Sequence, residues 1–123
     1  MKILLDENLD VELKAHLAAY ETFTVQDMGW LGKKNGELMT LIAASAFDIF
    51  VTGDKNLPFQ QNLSKLTTGL CILDLPTNDI FTLRRFVPTL LEEIERFVGK
   101  PAPRTLKYIS VPGLSRGKKL KNP

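Results

Sequence analysis

Asp6, Glu37, Asp54 and Asp74 are the residues whose type and placement point to chemistry. Carboxylates drawn to one place repel one another and raise each other's pKa values. A hard divalent cation resolves that conflict. Mg²⁺ takes oxygen ligands, keeps several waters, and is commonly held by one or two carboxylates plus a substrate phosphate. An ion held in this way polarises a phosphoryl oxygen and lowers the pKa of a bound water. A zinc set is not available, because the chain has one His and one Cys, too few for that metal's usual ligands. Taken singly, each acid is more simply a turn former or a helix cap. Asp6, Glu37 and Asp54 taken together indicate a site.

The neighbours extend this picture. Asn8 either hydrogen-bonds a carboxylate or caps the first helix. Thr52 is placed to orient Asp54 or a phosphate, and Lys55 and Asn56 to contact a substrate backbone. Glu7 adjoins Asp6, and adjacent side chains on a strand point to opposite faces, so Asp6 alone of the two is expected in the site. Asp48 precedes its strand and falls at the opposite end of a sheet. His16 reads as a boundary residue. Trp30 reads as a residue closing over the core, with base stacking as the alternative.

For these acids to meet, the intervening chain must place them on one rim. Ile3–Leu5 is a short apolar run without polar alternation, the mark of a buried strand. Leu9, Leu13, Leu17 and Tyr20 recur at helical spacing, with Asn8 as candidate N-cap. Residues 22–26 alternate as a second strand, with Phe23 and Val25 on one face. Residues 27–34 form a loop with Gly29 and Gly32. Asn35 is a candidate cap for a second helix carrying Leu38, Leu41, Ile42 and Ala46 inward. Residues 49–52 and 70–73 are further apolar strands, with a helical or irregular piece at 59–66 between them. Residues 79–97 are helical in pattern, with Pro88 bending the helix or opening its second half. Residues 106–111 alternate as a fifth strand.

Strands that alternate with helices predict a parallel sheet covered on both faces. In such sheets the ligand crevice lies beyond the carboxyl ends of the strands. Asp6 follows the first strand, Asp54 the third and Asp74 the fourth, while Glu37 sits in the first turn of the second helix. All four are therefore expected on one rim.

The chain length of 123 residues suits one domain with one core. No apolar run is long enough to span a membrane, and Asp6 and Glu7 interrupt the N-terminal apolar stretch before it makes a signal peptide. The lone Cys71 excludes an internal disulfide and fits a reducing, cytoplasmic setting. Charge is divided unevenly. Residues 1–99 hold nine Lys/Arg against fourteen Asp/Glu, and residues 100–123 hold seven Lys/Arg and no acid. Residues 113–123 read as a basic, disordered tail after a domain spanning 1–112. Polyanion binding and a frayed, solvated terminus are both consistent with such a tail.

Three stretches, in this order, resemble a known family: Ile3-Leu4-Leu5-Asp6-Glu7-Asn8-Leu9, Asn35-Gly36-Glu37-Leu38, and Val51-Thr52-Gly53-Asp54-Lys55-Asn56-Leu57. They are similar to the PIN-like nucleases, in particular the short bacterial members with an LLDEN-type first strand, related to VapC-type toxins. The resemblance covers about residues 1–75. It implies an α/β fold built as a three-layer α/β/α sandwich around a mostly parallel sheet of about five strands. It also implies a ribonuclease dependent on Mg²⁺ or Mn²⁺, the toxin of a toxin–antitoxin pair, with a cognate antitoxin blocking its site. By position Asp6, Glu37 and Asp54 match the family's acids, and Asp74 is a looser match to the variable fourth one. The basic tail lies outside the family pattern. A homodimer is left open.

Two other readings share these residues. A phosphoacceptor receiver domain also carries acids after its first strand and an aspartate, here Asp54, after its third. Asp74, however, stands where a receiver has a hydroxyl, and Lys100 follows a helix instead of ending a strand. A non-catalytic module would keep the fold and hold nucleic acid or a protein.

Overall fold

Short apolar runs set the architecture. In a computed structural model, residues 1–57, 68–74, 80–98 and 107–109 are described. In chain order the elements are β1 (Lys2–Leu5), α1 (Leu13–His16), β2 (Glu21–Thr24), α2 (Asn35–Ala43), β3 (Ile49–Thr52), β4 (Gly69–Leu73), α3 (Ile80–Val98) and β5 (Lys107–Ile109). The expected piece at 59–66, Lys100 and the tail at 113–123 lie outside the described residues.

The fold is α/β with a parallel sheet. Four strands run β2-β1-β3-β4. β5 lies parallel beside β4, with Leu73 opposite Ile109. Leu5 pairs with both Thr24 of β2 and Val51 of β3, so β1 is flanked on both sides and its backbone is fully paired. Side chains alternate between faces. Ile3, Leu5, Ile49, Val51, Cys71 and Leu73 meet Leu13 and Leu17 around α1 and Leu83, Phe86, Leu90 and Ile94 of α3. Leu4, Phe50, Leu70 and Ile72 meet Leu38, Met39 and Ile42 of α2. Both faces are thus buried, which is why these strands are continuously apolar. Trp30 packs edge-on against Phe47 at 6.3 Å between ring centroids and belongs to the α2-side core.

Three local expectations are corrected. The first helix is a single turn, Leu13–His16, and does not begin at Asn8. Asn35 is the first residue of α2 and not its cap; Lys34 holds the N-cap position and makes no side-chain cap bond. Ala46 lies beyond α2 and is exposed. Pro88 sits inside an uninterrupted α3. It is exposed and lies away from the buried stripe of Leu83, Phe86, Leu90 and Ile94. The ~3 kcal/mol cost of an interior proline is offset by four buried side chains on the opposite stripe, each contributing about 1.5–3 kcal/mol. Among the described residues, no helix is long and apolar enough to cross a membrane.

Candidate functional site

The parallel register carries two polar residues to one spot. Leu5 stands opposite Val51, and the Asp6 N–H continues the ladder by donating to the Val51 carbonyl at 2.9 Å. One step on, Asp6 and Thr52 therefore lie side by side, on the face opposite Leu5 and Val51. The Thr52 hydroxyl donates to Asp6 Oδ2 at 2.7 Å and accepts the Asp54 N–H at 3.0 Å. Thr52 is fully buried and Asp6 is 8% exposed. The other Asp6 oxygen, Oδ1, accepts the Glu7 N–H at 2.8 Å.

Asp54 is held in a similar way. Its Oδ1 accepts the Asn56 N–H at 3.0 Å and its Oδ2 accepts from Asn35 Nδ2 at 3.2 Å. Each aspartate keeps acceptor capacity beyond these bonds, because a carboxylate offers about four lone-pair sites. Asn8 locks the frame. Its Oδ1 accepts the Gly53 N–H at 3.2 Å and its Nδ2 approaches Thr52 Oγ1 at 3.5 Å. Its amide joins the end of β1 to the end of β3 and is not available to cap a helix.

Burial raises the pKa of Asp6 above its ordinary value. The Thr52 hydroxyl and the Glu7 N–H pull it down, while the charges of Glu7 and Asp54 push it up. A buried anion beside other anions is the setting in which a cation gives the largest relief.

Asp6 and Asp54 line a surface hollow of ≈ 340 Å³ together with Glu7, Asn8, Asn35, Lys33 and Lys34. A second hollow of ≈ 410 Å³ is larger, but its lining contains no acid.

The four predicted acids do not all come together here. Glu37 is exposed and lies 3.7 Å from Lys33; it does not line the hollow. Asp74 pairs with Lys55 at 3.1 Å, so the predicted substrate-contacting lysine faces an acid of its own chain. Among the described residues, no group of three or more His, Cys, Asp or Glu is close enough together to hold a metal ion. What the fold offers is a pair of aspartates with amide and hydroxyl support. That donor set fits a hard cation that keeps much of its water.

Four polar residues of the hollow escape the sequence reading: Glu7, Asn35, Lys33 and Lys34. Glu7 lines it because β1 ends at Leu5. The chain then turns, with the Leu9 N–H donating to the Asp6 carbonyl at 3.1 Å, and strand alternation no longer separates the two acids. The Glu7 carboxylate is partly committed, accepting the Gly32 N–H at 3.1 Å. Asn35 reaches Asp54 across 19 positions of chain. The only sequence signal for this was its place at the start of a helix entered from the same rim.

The chain matches no protein-family model, no curated protein and no solved structure in the comparisons made.

Proposed function

We propose that this protein is a metal-dependent endoribonuclease in which Asp6 and Asp54 hold Mg²⁺ or Mn²⁺ and the ion acts on an RNA phosphodiester. The observation that carries the reading is the pairing of a nine-tenths-buried Asp6 with Asp54 in one hollow, both tied to a single Thr52 hydroxyl. Bound there, the ion supplies charge neutralisation at a phosphoryl oxygen and a more acidic water. Thr52 and the Glu7 amide hold Asp6, and Asn35 and the Asn56 amide hold Asp54, so neither carboxylate has to reorganise when substrate arrives. The nuclease identity, the three-layer PIN-like character of the sandwich, the toxin role with its antitoxin, the cytoplasmic setting and any homodimer all rest on the resemblance of the Asp6-Glu7-Asn8 and Thr52-Gly53-Asp54 stretches. In this reading the metal is held by Asp6 and Asp54, with Glu37 paired to Lys33 and Asp74 to Lys55.

The reading is tested by Asp6→Ala and Asp54→Ala. Each should abolish Mn²⁺-dependent RNA cleavage while circular dichroism stays native. Cleavage retained in both variants would overturn it.

One observation favours a second reading. With β1 between β2 and β3, the strand order is the one a phosphoacceptor receiver uses. The acids drawn together, Asp6, Glu7 and Asp54, are also those a receiver would need. Strand order is shared by many unrelated activities, and both Asp54 oxygens already carry hydrogen bonds. Acetyl phosphate separates the two readings, because a stable aspartyl-phosphate on Asp54 would exclude the nuclease.

A further inference from the structure

A pocket of two carboxylates around one divalent cation is close to neutral, so a phosphodiester gains little long-range attraction from it. The hollow above Asp6 and Asp54 has basic side chains in its wall, Lys33 and Lys34. They follow Gly32, whose φ of 78° turns the loop. The Gly32 N–H is fastened to Glu7, so the segment bearing both lysines is anchored to the segment bearing Asp6. Neither lysine lies within ion-pair distance of Asp6 or Asp54 among the described residues; Lys33 is 3.7 Å from Glu37 instead. That pair is exposed, and such pairs hold weakly. Lys34 has no ion-pair partner among the described residues. The wall cations thus leave the aspartates un-neutralised and remain available to an incoming anion.

We infer that Lys34, supported by Lys33, is the phosphate-binding edge of the pocket, engaging the RNA backbone next to the phosphate presented to Asp6 and Asp54. This rests on the phosphodiesterase reading. A lysine ammonium is a compact charge with three donors on a flexible stem, suited to following a backbone without reading sequence. Backbone contacts of this kind position the substrate and make its binding depend on salt.

The test uses the full chain, Mn²⁺ calorimetry, and the affinity of a uridine 12-mer measured in Ca²⁺ across a salt series. Lys34→Ala should weaken RNA binding about tenfold, the size of one charge-assisted contact. It should also flatten the plot of log affinity against log salt by about 0.7. Lys34→Arg should restore both, and Mn²⁺ should bind Lys34→Ala at least as tightly as wild type. If wild type and Lys34→Ala both bind Mn²⁺ but share one RNA affinity and one salt slope, the phosphate edge is overturned and the metal site stands. If wild type takes up no Mn²⁺, the metal reading falls and this inference falls with it.

Discussion

The Thr52 hydroxyl donates to the Asp6 carboxylate across 46 positions of sequence at 2.7 Å. It also accepts the Asp54 amide, so one buried oxygen orients both aspartates of the hollow. Thr52→Val keeps the shape and removes this junction. An Asp6 oxygen and the Asp54 N–H lose their partner, and stability should drop by about 1–3 kcal/mol in denaturant unfolding. Thr52→Ser should recover most of the loss. Mn²⁺ affinity should fall in the valine variant by more than its stability loss alone would explain, as calorimetry under fully folded conditions would show.

The raised pKa of Asp6 gives stability a definite pH dependence. As pH rises from acid, the unfolded chain releases the Asp6 proton at the ordinary carboxylate value while the native state still holds it. In that window the native state binds more protons, so stability falls with rising pH and levels off above the folded pKa. Asp6→Asn should remove this component from urea-unfolding curves recorded between pH 4 and 7. Saturating Mn²⁺ should suppress it in the wild type, because the cation favours the charged form.

Glu37 offers a sharp contrast with Asp6. Exposed and paired with Lys33, it should be replaceable by alanine with stability changed by less than ~0.5 kcal/mol. Mn²⁺ binding and RNA cleavage should be retained. Complete loss of metal binding in Glu37→Ala, with the fold intact, would return it to the ligand set.

Gly69 opens β4 where the Phe97 ring of α3 lies over it, and a Cβ built there would overlap the ring. Gly69→Ala should therefore cost about 1–3 kcal/mol, as overpacking does. The cost should largely vanish in a Phe97→Ala background. Equal costs in the two backgrounds would mean that the ring is not the obstacle.

The sheet was legible in the sequence because runs such as Ile3–Leu5 and 49–51 are apolar at every position, as a strand buried on both faces requires. The rim was legible too, since parallel strands deliver Asp6 and Asp54 to the same edge. What failed was local phase. Glu37 lies two positions after Asn35, roughly 200° further around the helix, so Asn35 reaches Asp54 while Glu37 turns to solvent. Glu7 was excluded by an alternation rule that stops applying where β1 ends. Asn8 looked like a cap because its partners, Thr52 and Gly53, are more than forty residues away and leave no trace in local spacing.

Asn8 also fixes when the hollow comes into being. Its bonds, like that of Thr52 to Asp6, exist only after β1 has docked against β3 and closed the chain between them. Closure over that length must precede any reward from the contacts. A nascent chain that has not yet released β3 has no assembled pair of aspartates. In the endoribonuclease reading, the protein is therefore harmless to the RNA around it until its own sheet has formed.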